Sequence, residues 1–225
     1  DEPIHRYFAG HGYAAVRVHD DWIDEGVGDA DPAAAALLAH ALLSAHHAAI
    51  ALASAGAPLT AHADLWTLTR RTWADYAEAM LLERDLLRGP DGGAGPYDPP
   101  AFQAVLLRSR PLILPGAALL ARADRLDLLP ALIDLAHACT EAAQLLDDAL
   151  DVLADFEAGR LNHLVQVGGG LGGRDALLLT WALGGFARAL DAVHASLAAA
   201  EGAAARLGVA PGFAPFLVER RACLD

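Results

Sequence analysis

Two stretches of this chain place carboxylates at a spacing suited to holding a divalent cation. The first is His19-Asp20-Asp21-Trp22-Ile23-Asp24-Glu25. The second, Gln144-Leu145-Leu146-Asp147-Asp148-Ala149-Leu150-Asp151, continues to Asp155. On a helix, Asp20 and Asp24 stand one turn apart on one face, about 5–6 Å between Cβ atoms. Like charges so placed destabilise a helix unless a cation sits between them, and magnesium is usually held by carboxylates on one side and phosphate oxygens on the other. Aspartates near a helix C-terminus also oppose the macrodipole, so a merely solvated helix end explains the first cluster badly. In the second cluster Asp147, Asp151 and Asp155 fall on consecutive turns, surrounded by Leu145, Leu146, Leu150, Val152 and Leu153. That setting predicts acids deep in a packed helix, where uncompensated carboxylates are costly or take up protons. Both clusters read D-D-x-x-D, and Asp20 and Asp147 are 127 positions apart. One such motif arises easily by chance; a pair in one helical chain does not.

The elements that would present these acids are helical throughout. A first helix is predicted over about Pro3 to Asp24, stopping near Gly26-Val27-Gly28. Asp31-Pro32 supplies an N-cap followed by a proline at the first helical position, opening an alanine-rich helix that ends around Ser54 to Pro58. Ala61 to Leu87 repeats Leu65, Leu68, Trp73, Tyr76 and Met80 at helical spacing. Gly89 to Pro100 reads as a loop, either a solvated connector or a lid over a site. The helix after it is disturbed by Pro111, Pro115 and Gly116. Asp127 to Glu157 predicts one helix of about 45 Å, stopped at Gly159. Val167 to Gly173 reads as a loop, Arg174 to Arg206 as a helix weakened at Gly184-Gly185, and a short terminal helix carries Arg220 and Arg221. No strand alternation or internal repeat is present, so the expected fold is an all-α bundle in one domain spanning residues 1–225. Gly168, Gly170 and Gly173 match a dinucleotide-binding spacing, but that fingerprint works between a strand and a helix, and here a helix precedes it.

Composition narrows the partners. The 225 residues are 55% hydrophobic and 20% charged, with a net charge of -13. A nucleic-acid binder needs a basic face, so that class is disfavoured. All basic side chains are arginine, which removes Schiff-base and P-loop lysine chemistry. Two cysteines, Cys139 and Cys223, form no disulfide framework and fit a reducing compartment. No stretch reads as a signal peptide and no uninterrupted apolar run reaches spanning length, so a cytoplasmic protein without stable membrane insertion is expected.

The two acidic clusters resemble the aspartate-rich motifs of the class I isoprenoid synthase superfamily, which includes the trans-isoprenyl diphosphate synthases and class I terpene synthases. Gln144 to Asn162 (QLLDDALDVLADFEAGRLN) is especially similar to that family's second motif, including the trailing Gly159-Arg160-x-Asn162. The resemblance implies an antiparallel helical bundle around a deep apolar cavity, with the motifs facing each other at its mouth. It implies three Mg2+ ions bridging the carboxylates to the diphosphate of a prenyl diphosphate substrate. Asp20 and Asp24 would bind two of these, and Asp147 with Asp151 and Asp155 the third, while Asp21 and Asp148 would support through water or hydrogen bonds. A homodimer is compatible with the resemblance.

Two departures from the family's pattern refine the reading. Chain-elongating members carry an arginine pair after the first motif and basic residues for isopentenyl diphosphate. Here Gly26 to Pro32 follows, without any, which points toward a lyase or cyclase. Asp147, Asp151 and Asp155 also occupy the offsets where terpene cyclases usually place Asn, Ser or Thr, and Glu. That hybrid is similar to the bacterial large-terpene synthases. Against a full class I domain the chain is short, which leaves terminal helices unaccounted for. The diphosphate would need cationic partners as well as metal. Arg160 trails the second motif in register with Asn162; Arg108, Arg110, Arg220 and Arg221 are further candidates, with surface solvation the competing reading for the first two. Val16 and Ala15 sit four and five positions before the first motif, where bulky residues cap the chain pocket in related prenyltransferases, and their small size implies a substrate of roughly C20 or longer. Tyr76, Glu78 and Glu83 could reach the cavity or simply pack and solvate their helix. His46, His47 and His137 read as packing or surface histidines, and His19-Asp20 lacks the further ligands of a phosphohydrolase. A chain-elongating synthase and a non-catalytic prenyl-synthase-like subunit remain as alternatives.

Overall fold

The computed structural model describes residues 32–87, 97–167 and 172–222. The first acidic cluster, with Asp20, Asp21 and Asp24, and the chain-pocket residues Ala15 and Val16 lie outside them, as does most of the predicted lid loop. The protein is all-α, with no strand among the described residues.

Proline and glycine set most of the boundaries. Pro32 opens α1 (Pro32–Ala53), and the chain turns through residues 54–58 into α2 (Leu59–Leu87). Asp98 caps α3 (Pro99–Val105): its side chain accepts from the Ala101 N–H, and prolines occupy the first two helical positions, where no N–H is needed. Pro111 cannot donate within a helix, and the segment around it, Leu106–Ile113, tightens into a 3-10 helix before α4 (Leu114–Arg122) resumes. After a short 3-10 turn, Leu126–Leu128, comes the longest element, α5 (Leu129–Ala158), which stops at Gly159 as the sequence predicts. A five-residue helix, α6 (His163–Val167), was not legible in the sequence. Next come α7 (Arg174–Thr180), a five-residue π turn at Trp181–Gly185, α8 (Phe186–Leu207) and α9 (Ala210–Ala222), the last carrying Arg220 and Arg221.

The π turn falls at the predicted weak point and needs both its glycines. Gly184 has φ +101°, a conformation L side chains resist. A Cβ on Gly185 would stand 2.9 Å from the Thr180 carbonyl oxygen and 2.9 Å from the Trp181 ring.

The chain divides into two compact units, Asp1–Tyr76 with Arg108–Leu132, and Ala77–Leu107 with Ile133–Asp225. In the first, α1 packs on α4 through Ala49, Ile50, Ala53, Leu114, Ala117, Ala118 and Ala121, all buried. Alanine on both faces lets the two backbones approach closely. In the second, α5 buries Ala138, Ala142, Leu145, Ala149 and Val152, spaced by three or four residues, which is the seam of an amphipathic helix. Leu86, Tyr97, Phe102, Val105, Leu164, Ala189, Val193 and Leu197 belong to the same core.

Pro99–Arg122 and Arg174–Leu207 are long and apolar enough to cross a membrane by length and composition alone. Both are interrupted: the first by Arg108, Arg110 and Pro111 in its 3-10 stretch, the second by the turn at Gly184.

Candidate functional site

An α-helix turns about 100° per residue, so a step of four overshoots a full turn by about 40°. Asp147, Asp151 and Asp155 therefore wind slowly around α5 instead of forming a straight stripe. The two ends of this row meet different surroundings.

At one end, Asp147 lies in the lining of a cavity of about 320 Å³. Cys139, Ala142, Ala143, Leu146 and Leu150 of α5 form one wall with it, and Val193 and Leu197 of α8 form the other. The lining is apolar except for Asp147 and the Cys139 thiol. Burial pushes that thiol up to about 11, so near neutral pH it is protonated, weakly polar lining and no nucleophile. Asp147 and Asp151 are solvent-exposed, and Leu150 between them is 70% exposed. The expectation that the whole row sits deep in a packed helix is thus corrected for these two acids. The leucines around them do not all face inward, because the buried seam of α5 runs through Ala142, Leu145, Ala149 and Val152.

At the other end, Asp155 is half-buried and both its oxygens are engaged. Oδ2 accepts from Asn162 Nδ2 at 2.9 Å, and Oδ1 pairs with Arg160 Nε at 3.2 Å. Arg160, a candidate for diphosphate, is here the exposed partner of Asp155. Such a surface pair contributes little stability and can exchange.

The deeply buried acid is Asp148, 3% exposed. Oδ1 accepts from Gln144 Nε2 and Oδ2 from the backbone N–H of His163, both at 2.9 Å. Burial raises its carboxyl to about 6; the two hydrogen bonds oppose the rise, and the neighbouring Asp147 and Asp155 carboxylates add to it. Asn162, also buried, fastens the same joint. Its Nδ2 donates to the Asp148 carbonyl oxygen at 2.8 Å, and its Oδ1 accepts from the Val165 N–H at 3.0 Å, capping α6. His163 stacks on Phe102 with ring centroids 4.5 Å apart and planes at 19°. Its Nδ1 lies 3.0 Å from the Tyr97 carbonyl oxygen. A carbonyl cannot donate, so Nδ1 carries the proton. Asp148 and Asn162 therefore clamp the turn after α5.

Among the described residues, the acids expected to hold magnesium come together only in part. Asp147 and Asp151 stand one turn apart on an exposed face, and Asp151 has no hydrogen bond or ion pair among the described residues. No group of three or more metal-binding side chains is assembled among the described residues. Asp20 and Asp24, which the resemblance sets opposite, lie outside them.

The remaining candidates separate by unit. Arg108 and Arg110 are half-buried in the first unit, where Arg110 pairs with Asp75. Tyr76 and Glu83 are buried and Glu78 is exposed. His46 is fully buried against Trp73, a packing role, as expected. Sequence reasoning missed Glu141, which accepts from Gln103 Nε2 at 2.6 Å and Ser196 Oγ at 2.8 Å. It also missed the lining role of Cys139, for which the only signal was its helical phase with Leu146 and Leu150. Comparison with protein families, curated proteins and solved structures finds no match to this chain.

Proposed function

We propose that this chain is a class I terpene synthase, which uses Mg2+ to ionise an allylic prenyl diphosphate and releases diphosphate to give a linear or cyclic terpene. The observation that carries the reading is the position of Asp147, at the polar edge of an otherwise apolar cavity, with Asp151 one turn further on an open face. Carboxylates so placed suit a diphosphate outside and a hydrocarbon chain within. Asp147 and Asp151, with Asp20 and Asp24, would hold the metal, which when bound supplies Lewis-acid neutralisation of the leaving diphosphate. The residues of this chain do the rest. Ala142, Ala143, Leu146, Leu150, Val193 and Leu197 exclude water from the reacting hydrocarbon. Asp148 and Asn162 hold the turn that carries Arg160, whose exposed guanidinium can leave Asp155 for a diphosphate oxygen. Asp21 is assigned the same supporting role in the first motif. The net charge of -13 fits a protein that meets its anionic substrate through metal and has no nucleic-acid partner.

Magnesium-dependent diphosphate release, measured across prenyl diphosphates from C10 to C25 with product analysis by mass spectrometry, tests the proposal. Turnover abolished by chelation and restored by Mg2+ supports it. Release only in the presence of isopentenyl diphosphate moves the reading to a chain-elongating synthase. No release with any substrate leaves the non-catalytic subunit, the reading favoured by Asp155 having both oxygens engaged.

A further inference from the structure

α1 carries no Asp, Glu, Lys or Arg over its 22 residues, about 33 Å of helix, although 20% of the chain is charged. One side of it is filled: His46, Ala49, Ile50 and Ala53 are buried, and the last three pack on α4. The opposite side is apolar as well and lies open. Leu37 is 69% exposed and Leu52 60%, and Ala41, Ser44 and Ala48 between them are exposed too. At about 100° per residue these five fall within about 80° of one another, so they form one row along the helix. A helix face turned to water ordinarily carries charge; this one has a single hydroxyl.

The chemistry of the face selects its partner. A lipid surface is held through cations beside the apolar residues, and α1 has none, in a chain of net charge -13. That charge makes two copies of the chain repel, so a contact between them is favoured where no charge stands. The row is also self-complementary in size. Leu37, Ala41, Ser44, Ala48 and Leu52 read the same from either end about a point beside Ser44. In an antiparallel pair with a twofold axis at that point, Leu37 of each copy meets Leu52 of the other, and Ala41 meets Ala48. The small residues let the two backbones close at the middle, and the leucines cover each end. The helix dipoles then run in opposite directions, which favours the pair.

We propose that the open face of α1 pairs with α1 of a second copy of this chain, antiparallel about a twofold axis beside Ser44. The pairing is independent of the reaction proposed above. One pair of helices makes a small interface, so the dimer is weak, with a Kd on the order of ten micromolar.

Sedimentation of the full chain between about 1 and 300 μM, a range that spans that Kd, should show a monomer passing to a dimer. Added salt should tighten the dimer, because it screens the repulsion between the copies. Ala41→Glu sets an unpaired carboxylate against Ala48 of the other copy, and should weaken association about a hundredfold with an unchanged circular dichroism spectrum. Ala48→Arg should do the same from the other side. A mixture of the two variants puts the new carboxylate opposite the new guanidinium, and should associate about tenfold better than either alone. The proposal is overturned by a chain that stays monomeric throughout, the outcome expected if residues 1–31 occupy the face. It is equally overturned by a dimer that Ala41→Glu leaves intact, or by a mixture no better than its components. Flotation of the unmodified chain with vesicles of phosphatidylcholine and phosphatidylglycerol, abolished by Ala41→Glu, would assign the face to a membrane instead. Should Ala41→Glu not fold, Ser44→Asp brings two like charges together at the axis and gives the same reading.

Discussion

Asp147 and Asp148 are adjacent in sequence and about 100° apart around α5, and they live in opposite surroundings. Asp147 is exposed at the edge of an apolar cavity. Asp148 is 3% exposed and accepts hydrogen bonds from Gln144 and the His163 N–H. The pair therefore divides two tasks that a D-D motif superposes. One acid stands exposed at the cavity, while the other fastens the turn after α5. An acid that can bind metal must remain accessible, and an acid that organises backbone must be buried; a helix can give adjacent residues to each.

The sharpest way to break this comparison is to exchange the effects of the two acids. Asp147→Ala should reduce magnesium-dependent diphosphate release on the order of a thousandfold, since metal neutralisation of the leaving group is worth several kcal/mol. Its urea-unfolding free energy should change by less than about 0.5 kcal/mol, as expected at an exposed site. Loss of activity accompanied by unfolding would erase the distinction.

Asp148→Ala should show the converse, a loss of about 2 kcal/mol in urea unfolding, because the buried His163 N–H is left without its acceptor. Any fall in activity should follow the fraction unfolded.

The titration of Asp148 sharpens the contrast. Its carboxyl stands at about 6 in the fold against an ordinary 3.8. Between those values the folded chain binds more protons than the unfolded chain, so stability declines as pH rises from about 4 through 6. The pH-dependent part amounts to about 2–3 kcal/mol. Asp148→Asn should flatten this decline, since its carbonyl can accept from His163 and its amide can donate to a turned Gln144. Urea midpoints at pH 4.5 and pH 7 measure the difference.

The smallest effect belongs to Arg160→Ala. Its pair with Asp155 is exposed on the arginine side, so stability should shift by no more than about 0.5 kcal/mol. A larger fall in kcat/KM for the diphosphate substrate would mark the arginine as a ligand-binding group instead of a strut.

The helical plan was largely legible in the sequence because proline and glycine act locally. Pro32 opens an element, and Gly159 and Gly184 end or break one, each through its own backbone, whatever lies around it. The five-residue α6 was not legible: its cap depends on Asn162, and its first N–H bonds to Asp148 fifteen residues away. The identity of the buried aspartate was equally hidden. Leucines occupy both sides of α5, at Leu145 inward and Leu150 outward, while alanines mark much of the true seam and give a weak pattern. Gln144, Asp148 and Asn162, which build the joint, all lie between Gln144 and Asn162, yet spacing alone did not separate the buried acid from the exposed ones.

The turn at Gly184 has a consequence for the wall of the cavity. In an unbroken helix the buried Leu177 and the buried Ala189, twelve positions on, would stand about 120° apart, too far for one inward face to hold both. With the turn between them, α7 and α8 are phased independently. The azimuth at which Val193 and Leu197 meet the cavity is set from Gly185 onward, so a residue gained or lost in α7 would leave that wall facing the same way.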